Sequence, residues 1–202
     1  MDKLSFKVIE DCKGVNLFIK KVEDQTGVKL PLAYVTRGKI VGGFLNGRLA
    51  AGYLLVTRPD FRSLMFVPDS IRRSHPILGG DKYQLMEVNG LWVSPSVKHP
   101  RQQLQFWIHL VKDIFLCKKK YLLLMSSGAN QTIHNIHELT EPTIVYEGKP
   151  KLLPNSATHK TVRIGFTTRW RLISNIPRYL AEFRGRQDRF SAAFKAKILA
   201  RT

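Results

Sequence analysis

Apolar and polar positions divide the chain into short, separable elements. "LSFKVI" (4–9) reads as a first strand. In "GVNLFIKKVEDQTG" (14–27), Val15, Phe18, Ile19 and Val22 recur at the spacing of one helical face. "KIVGGFL" and "RLAAGYLLV" are apolar runs on either side of Asn46-Gly47. Both turn residues accept positive φ, so a type I′ hairpin is predicted there. "YQLMEVNGLWV" (83–93) is strand-like, and "RQQLQFWIHLVKDIFL" (101–116) is an amphipathic helix. Its predicted buried stripe is Leu104, Trp107, Ile108, Val111 and Phe115. "KYLLLMSS" (120–127) is nearly all apolar and suits a central strand. "NQTIHNIHEL" (130–139) reads as a short helix, and "TIVYEG" and "TVRIGFTT" as two closing strands.

Two segments stand outside this rhythm. Residues 57–82 form a long excursion bearing prolines and arginines, and connections of that length usually carry a function or a small structure of their own. From Asn175 the chain reads as a basic helical tail, with Ile176, Leu180, Phe183, Phe190, Phe194 and Ile198 at helical spacing and Gly185 as a break. The order is β-α-β-β-loop-β-α-β-α-β-β-tail, a mixed α/β layered domain over 1–172 with an extension over 173–202.

Length and composition narrow the class. A chain of 202 residues with 44% apolar content can bury a core of its own. No apolar run reaches the length of a membrane span, and "MDKLSFKVIEDCKG" has no cleavable signal pattern, so the expected location is the cytoplasm. Cys12 and Cys117 are the only cysteines, which gives no disulfide framework; Cys117 reads as a buried structural thiol.

Charge changes the picture more. Lys and Arg number 33 against 15 Asp and Glu, a formal net of +18. Residues 149–202 hold 13 basic residues and two acidic ones, Glu182 and Asp188. Such a field attracts polyanions: nucleic acid, anionic lipid, a phosphate-bearing cofactor or an acidic carrier protein.

The stretch "LWVSPSVKHPRQQLQFWIHL" (91–110) runs a strand through a proline-bounded loop into a helix, a common place to hold phosphate. With its neighbours it resembles the GNAT acyltransferase superfamily over roughly residues 3–170. "AAGYLLV" ends a hairpin where that family has its second and third strands. Val93, Pro95 and Lys98 match the opening of its pyrophosphate loop, V-x-P-x-x-[RK]-G-x-G-x-G/A. Asn130, Ile136 and Glu138 fall in step with its N-x-x-A-x-x-L-Y-E, with Ile133 for the alanine and His137 for the tyrosine. The loop glycines are replaced by His99, Arg101 and Gln103, so the turn departs from a standard coenzyme A loop.

The resemblance implies a central mixed sheet flanked by helices and an acyl group passed from a thioester to an amine. Lys98, Arg101, Gln102 and Gln103 stand where the donor's phosphates are held, with Arg101 able to offer a charge-assisted fork. Backbone N–H groups of Val93 and Ser94 would polarise the thioester carbonyl if the fourth strand splays from the fifth, and Asn130 would bond near the pantetheine arm. Asn130 reads equally as a plain helix N-cap. Glu87 is the candidate base and His137 the candidate acid for the leaving thiolate. Glu87 reads equally as an exposed-face strand glutamate or a structural partner of an arginine, and His137 as a satisfied or exposed histidine.

Autoinducer synthases and N-acyl amino acid synthases form a similar branch that often draws its acyl group from acyl carrier protein. That branch has a long segment before the fourth strand and an acid on it, positions filled here by 57–82 and Glu87. Its arginine shortly after that acid is missing from "EVNG". The donor is thus expected to be acyl-CoA or an acyl carrier protein thioester.

Other chemistries lack their motifs. His134 and His137 have no third ligand in sight, and neither a P-loop nor a G-x-S-x-G elbow occurs. A second class of reading drops catalysis and makes the domain a binding module for an anionic partner. Arg169-Trp170-Arg171, Arg178, Tyr179, Arg184, Arg186 and Arg189 interleave cations with aromatics as nucleic-acid surfaces do. The same tail suits an anionic membrane surface.

Overall fold

A computed structural model describes residues 3–127, 131–151 and 161–182. Seven strands form one sheet: β1 (Ser5–Val8), β2 (Lys39–Leu45), β3 (Arg48–Val56), β4 (Leu85–Val93), β5 (Tyr121–Ser127), β6 (Thr143–Gly148) and β7 (Val162–Thr168). Their order is β1-β2-β3-β4-β5-β7-β6, antiparallel except for the parallel pair β4 and β5. The helices are α1 (Cys12–Thr26), α2 (Leu32–Val35), α3 (Arg62–Met65), α4 (Asp69–Ser74), α5 (Pro76–Gly79), α6 (Pro100–Leu116), α7 (Gln131–Glu138) and α8 (Arg169–Ser174). None is long and apolar enough to cross a membrane.

The β2–β3 hairpin closes at Asn46 and Gly47, with φ of 51° and 75°, as Asn-Gly chemistry requires. α1 is capped at Asp11, whose carboxylate accepts from Gly14 N at 2.8 Å, and it ends at Gly27 in the left-handed region. The 57–82 excursion holds α3, α4 and α5, which explains how a link of this length stays ordered: Phe61, Leu64, Phe66, Val67 and Leu78 are all buried.

Each face of the sheet carries its own core. α1, α2 and α3 cover one face, where Phe18, Val35, Leu54, Leu85, Leu123 and Ile164 pack. α6 covers the other, on Tyr53, Met86, Leu122 and Leu124. Alternation along β5 sends Leu122 and Leu124 one way and Leu123 the other. Tyr179 also packs on the α6 face, its hydroxyl donating to Ile136 O at 3.2 Å.

The buried stripe of α6 differs from the one predicted. Phe106, Leu110 and Ile114 are the apolar residues it buries, whereas Ile108 is 58% exposed and Phe115 36%. Leu104, Trp107 and Val111 lie half-buried at the flank. The helix is rotated because Asp113 points inward. Its Oδ2 accepts from Lys39 Nζ at 2.7 Å and from Tyr53 Oη at 2.9 Å, which compensates the buried charge. Cys117, at the end of α6, is half-buried, and burial beside Asp113 pushes its thiol pKa up. Of the predicted tail, residues 176–182 are helical; Phe183, Phe190, Phe194, Ile198, Arg184, Arg186, Arg189 and Gly185 lie outside the described residues.

Candidate functional site

β4 and β5 pair over only three positions, Leu85 with Tyr121, Met86 with Leu122 and Glu87 with Leu123. Both strands then continue unpaired with each other, to Val93 and Ser127. The sheet therefore opens between them. The cause sits in β4, where the pairing with β3 slips by one residue: Gly52 opposes Trp92 but Leu54 opposes Asn89. The extra residue makes a bulge, which bends and twists the strand. Gly90 carries it with φ 54°, and a Cβ there would lie 2.9 Å from Leu30 Cδ1. Only glycine fits both demands.

Beyond the bulge the backbone groups are re-aimed. Ser94 N donates to Ala50 O at 2.8 Å. Ser94 and Ala50 are thus a hydrogen-bonded pair, and the adjoining pair, Val93 with Ala51, turns its N–H and C=O away from β3, toward the opening. Of the two N–H groups expected to meet a carbonyl, that of Val93 faces the gap and that of Ser94 is spent on β3.

The turn after β4 is closed by its own chain. His99 caps α6, its Nδ1 accepting from Arg101 N at 3.3 Å. Pro100 brings no N–H, and the N–H groups of Gln102 and Gln103 both go to His99 O. Gln103 Nε2 donates to Val97 O at 2.9 Å, and Gln102 is buried. Helix N-terminal donors that would cradle a pyrophosphate are consumed. What the turn still offers is charge, from the exposed side chains of Lys98 and Arg101.

Glu87 lies on the α1 face, 2% exposed. Its Oε2 accepts from Tyr34 Oη at 2.9 Å and Arg62 N at 2.8 Å; its Oε1 accepts from Ser63 N at 2.9 Å and Asn89 Nδ2 at 3.3 Å. Arg62 and Ser63 are the first residues of α3, so the carboxylate also caps that helix. Burial raises its pKa, and the donors from Ser63, Tyr34 and Arg62 oppose that rise. Tyr34 is itself pushed well up by burial beside Glu87. Asn89, half-buried at the bulge, also donates to Tyr34 Oη at 3.3 Å and is the member of this cluster nearest the opening.

His137 is on the opposite face, so the structure does not bring it together with Glu87. It lines a small, open pocket with Leu124, Ser126, His134, Ile144 and Arg163. Burial, with His134 and Arg163 close by, lowers its pKa to about 4. Its imidazolium is almost absent at neutral pH, which leaves it a poor proton donor to a thiolate. Arg163 is held by Glu138 and by Glu147 at 3.3 Å, and its Nη1 also meets the His134 ring at 3.2 Å. Asn130 lies outside the described residues. Among the described residues no group of three His, Cys, Asp or Glu is placed to hold a metal ion.

Tyr34, Arg62, Ser63 and Asn89 were not singled out from sequence. Each reaches Glu87 from another element or across the bulge, and only the Asn-Gly of "EVNG" hints locally at the irregular backbone.

Comparison with known proteins agrees with this architecture. No protein-family model and no curated protein sequence matches the chain. Among solved structures, FeeM, an N-acyl amino acid synthase from uncultured soil microbes, aligns with a TM-score of 0.57 at 10% identity, covering 84% of this chain and 92% of its own. The ribosomal-protein-S18-alanine N-acetyltransferase from Escherichia coli aligns at 0.56 and 9% identity, over 82% and 93%. A Bacillus subtilis acetyltransferase in complex with CoA aligns at 0.52 and 14% identity, over 82% and 99%. The chain has the GNAT acyltransferase fold.

Proposed function

We propose that this protein is an N-acyltransferase that passes an acyl group from a thioester donor to an amine. The observation that carries the reading is the opening between β4 and β5, with a bulged β4 that turns the Val93 N–H into it. A thioester seated there places its carbonyl oxygen against a fixed donor. The amine nitrogen attacks the carbonyl carbon, negative charge grows on that oxygen, and the Val93 N–H stabilises it. The C–S bond then breaks and the thiolate takes up a proton.

Glu87 is the proton acceptor in this scheme. All its donors favour the carboxylate, and the Tyr34 hydroxyl and Asn89 amide connect it toward the bulge. The proton leaves the amine through Tyr34, whose hydroxyl donates to Glu87 as it accepts. This scheme does not assign the acid role to His137, whose pKa burial lowers to about 4; the thiolate takes its proton from solvent, beside the exposed cations of the turn.

The closed turn favours a donor that does not depend on pyrophosphate. An acyl carrier protein presents the same thioester on a pantetheine arm and docks through its own acidic surface, for which a chain of net charge +18 is suited. The decisive assay offers the full chain long-chain acyl-CoA and the matching acyl-carrier-protein thioester, each with a panel of primary amines, and follows thiol release. Turnover from the carrier at a KM at least about tenfold below that for acyl-CoA is expected. Release from neither donor in the presence of any amine would overturn the reading.

A further inference from the structure

The end of the sheet away from the opening carries a surface that acyl transfer does not use. β4 and β5 start there and β7 ends there, since Leu85 pairs with Tyr121 and Tyr121 with Thr168. Three contacts gather distant segments at this end: Lys119 Nζ to Tyr83 O at 2.7 Å, Lys120 N to Gln84 O at 3.0 Å, and Arg169 N to Lys120 O at 3.4 Å.

Four large apolar side chains project from them. Tyr83 is 67% exposed, Trp170 61%, Leu116 58% and Phe115 36%. Lys82, Lys118, Lys119, Lys120 and Arg169 stand among them. None of these five is within salt-bridge distance of a carboxylate among the described residues. Soluble proteins seldom leave aromatic and aliphatic groups grouped in the open without a partner for them.

We propose that this end of the molecule is a docking surface for an anionic lipid bilayer. Trp and Tyr rings settle at the headgroup level, Leu116 reaches the acyl boundary, and the lysine ammonium groups meet lipid phosphates. The charge complementarity is direct: five cations with no carboxylate partner among the described residues stand around an apolar tip. Two features favour lipid over nucleic acid. Leu116 has no face for a base to stack on. The Arg169 guanidinium already lies over the Phe115 ring at 5.7 Å and the Trp170 ring at 5.3 Å, where a base would have to stack. Phe115 and Trp170 meet edge to face at 5.6 Å.

The test uses the full chain with vesicles of phosphatidylcholine containing phosphatidylglycerol, and with pure phosphatidylcholine vesicles. Two double variants are compared, Leu116→Ser with Trp170→Ser, and Lys118→Glu with Lys120→Glu. All four side chains are exposed or chain-terminal on their elements, so unchanged melting temperatures serve as the folding control. Expected is partition onto the anionic vesicles only, weakened more than about tenfold in each variant. Tryptophan emission should be quenched by brominated lipid in the parent and lose most of that quenching without Trp170, because Trp92 is 5% exposed and Trp107 is half-buried on α6, more than two turns from Leu116. Absence of binding to anionic vesicles at low ionic strength would overturn the proposal. So would binding that neither variant weakens, which would move the contact to the basic C-terminal region. Tighter binding of a single-stranded oligonucleotide through these same residues would replace lipid with nucleic acid.

Discussion

Replacing Glu87 by alanine removes the one acceptor that four groups share. Ser63 N is fully buried and Arg62 N partly so, and neither has another acceptor once the carboxylate is gone. A buried donor left unpaired costs about 1–3 kcal/mol, and the phenol of Tyr34 and the amide of Asn89 add to this. Allowing for relaxation at the half-exposed Arg62 and Asn89, Glu87→Ala should cost about 4 kcal/mol. A domain of this size loses about 2–4 °C of melting temperature per kcal/mol, so the midpoint should fall by about 8–16 °C. Glu87→Gln keeps the shape and one acceptor oxygen but turns an NH₂ toward donors, and should fall between parent and alanine. The pH dependence gives a second handle. Burial raises the folded-state pKa of Glu87 above its unfolded value, so the folded state holds this proton more tightly. Its contribution therefore declines as pH rises from about 4.3 through the folded pKa. The parent should gain on Glu87→Gln as pH is lowered through that window. Differential scanning fluorimetry across pH reads both effects. A Glu87→Ala midpoint within about 2 °C of the parent would refute the claim that this carboxylate holds α3 to the sheet.

Two further outcomes test the rest of the geometry. On α6, Phe106→Ala should cost about 3–5 kcal/mol in a denaturant titration, while Ile108→Ala should stay within about 0.5 kcal/mol of the parent; the reverse order would restore the stripe predicted from sequence. His137, with a folded pKa lowered to about 4, binds its proton less well folded than unfolded, so stability is lost as pH falls from about 6.5 toward 4. His137→Gln should remove about 2 kcal/mol of that acid lability, the value being reduced for its partial exposure, and leave the neutral-pH turnover within about threefold; a hundredfold loss of turnover would return the acid role to His137.

What could be read along the chain was whatever a local rule decides. The β2–β3 hairpin needs two residues with positive φ in succession, and Asn46-Gly47 states that within two letters. Strand and helix order follows from periodicity, and the resemblance to GNAT enzymes followed from that order with three short patterns. The stripe of α6 failed because apolar residues lie on more than half of its circumference, so periodicity alone leaves the rotation undecided. The rotation is set by Asp113, a residue any composition rule sends to solvent, through Lys39 and Tyr53 on β2 and β3. Glu87 shows the same logic at the candidate site. Its partners stand 53, 25, 24 and 2 residues away, so no window of the sequence holds the cluster. The turn after β4 lies between these cases. The lost glycines were visible, but that His99 fills the helix start and Pro100 removes a donor is a statement about hydrogen bonds. The interior of this protein, then, rests on long-range compensation of buried charge laid over a fold whose order is local. Substitutions at Tyr34 or Asp113 should for that reason lower stability more than substitutions at the exposed Lys98 or Arg101 of the turn after β4.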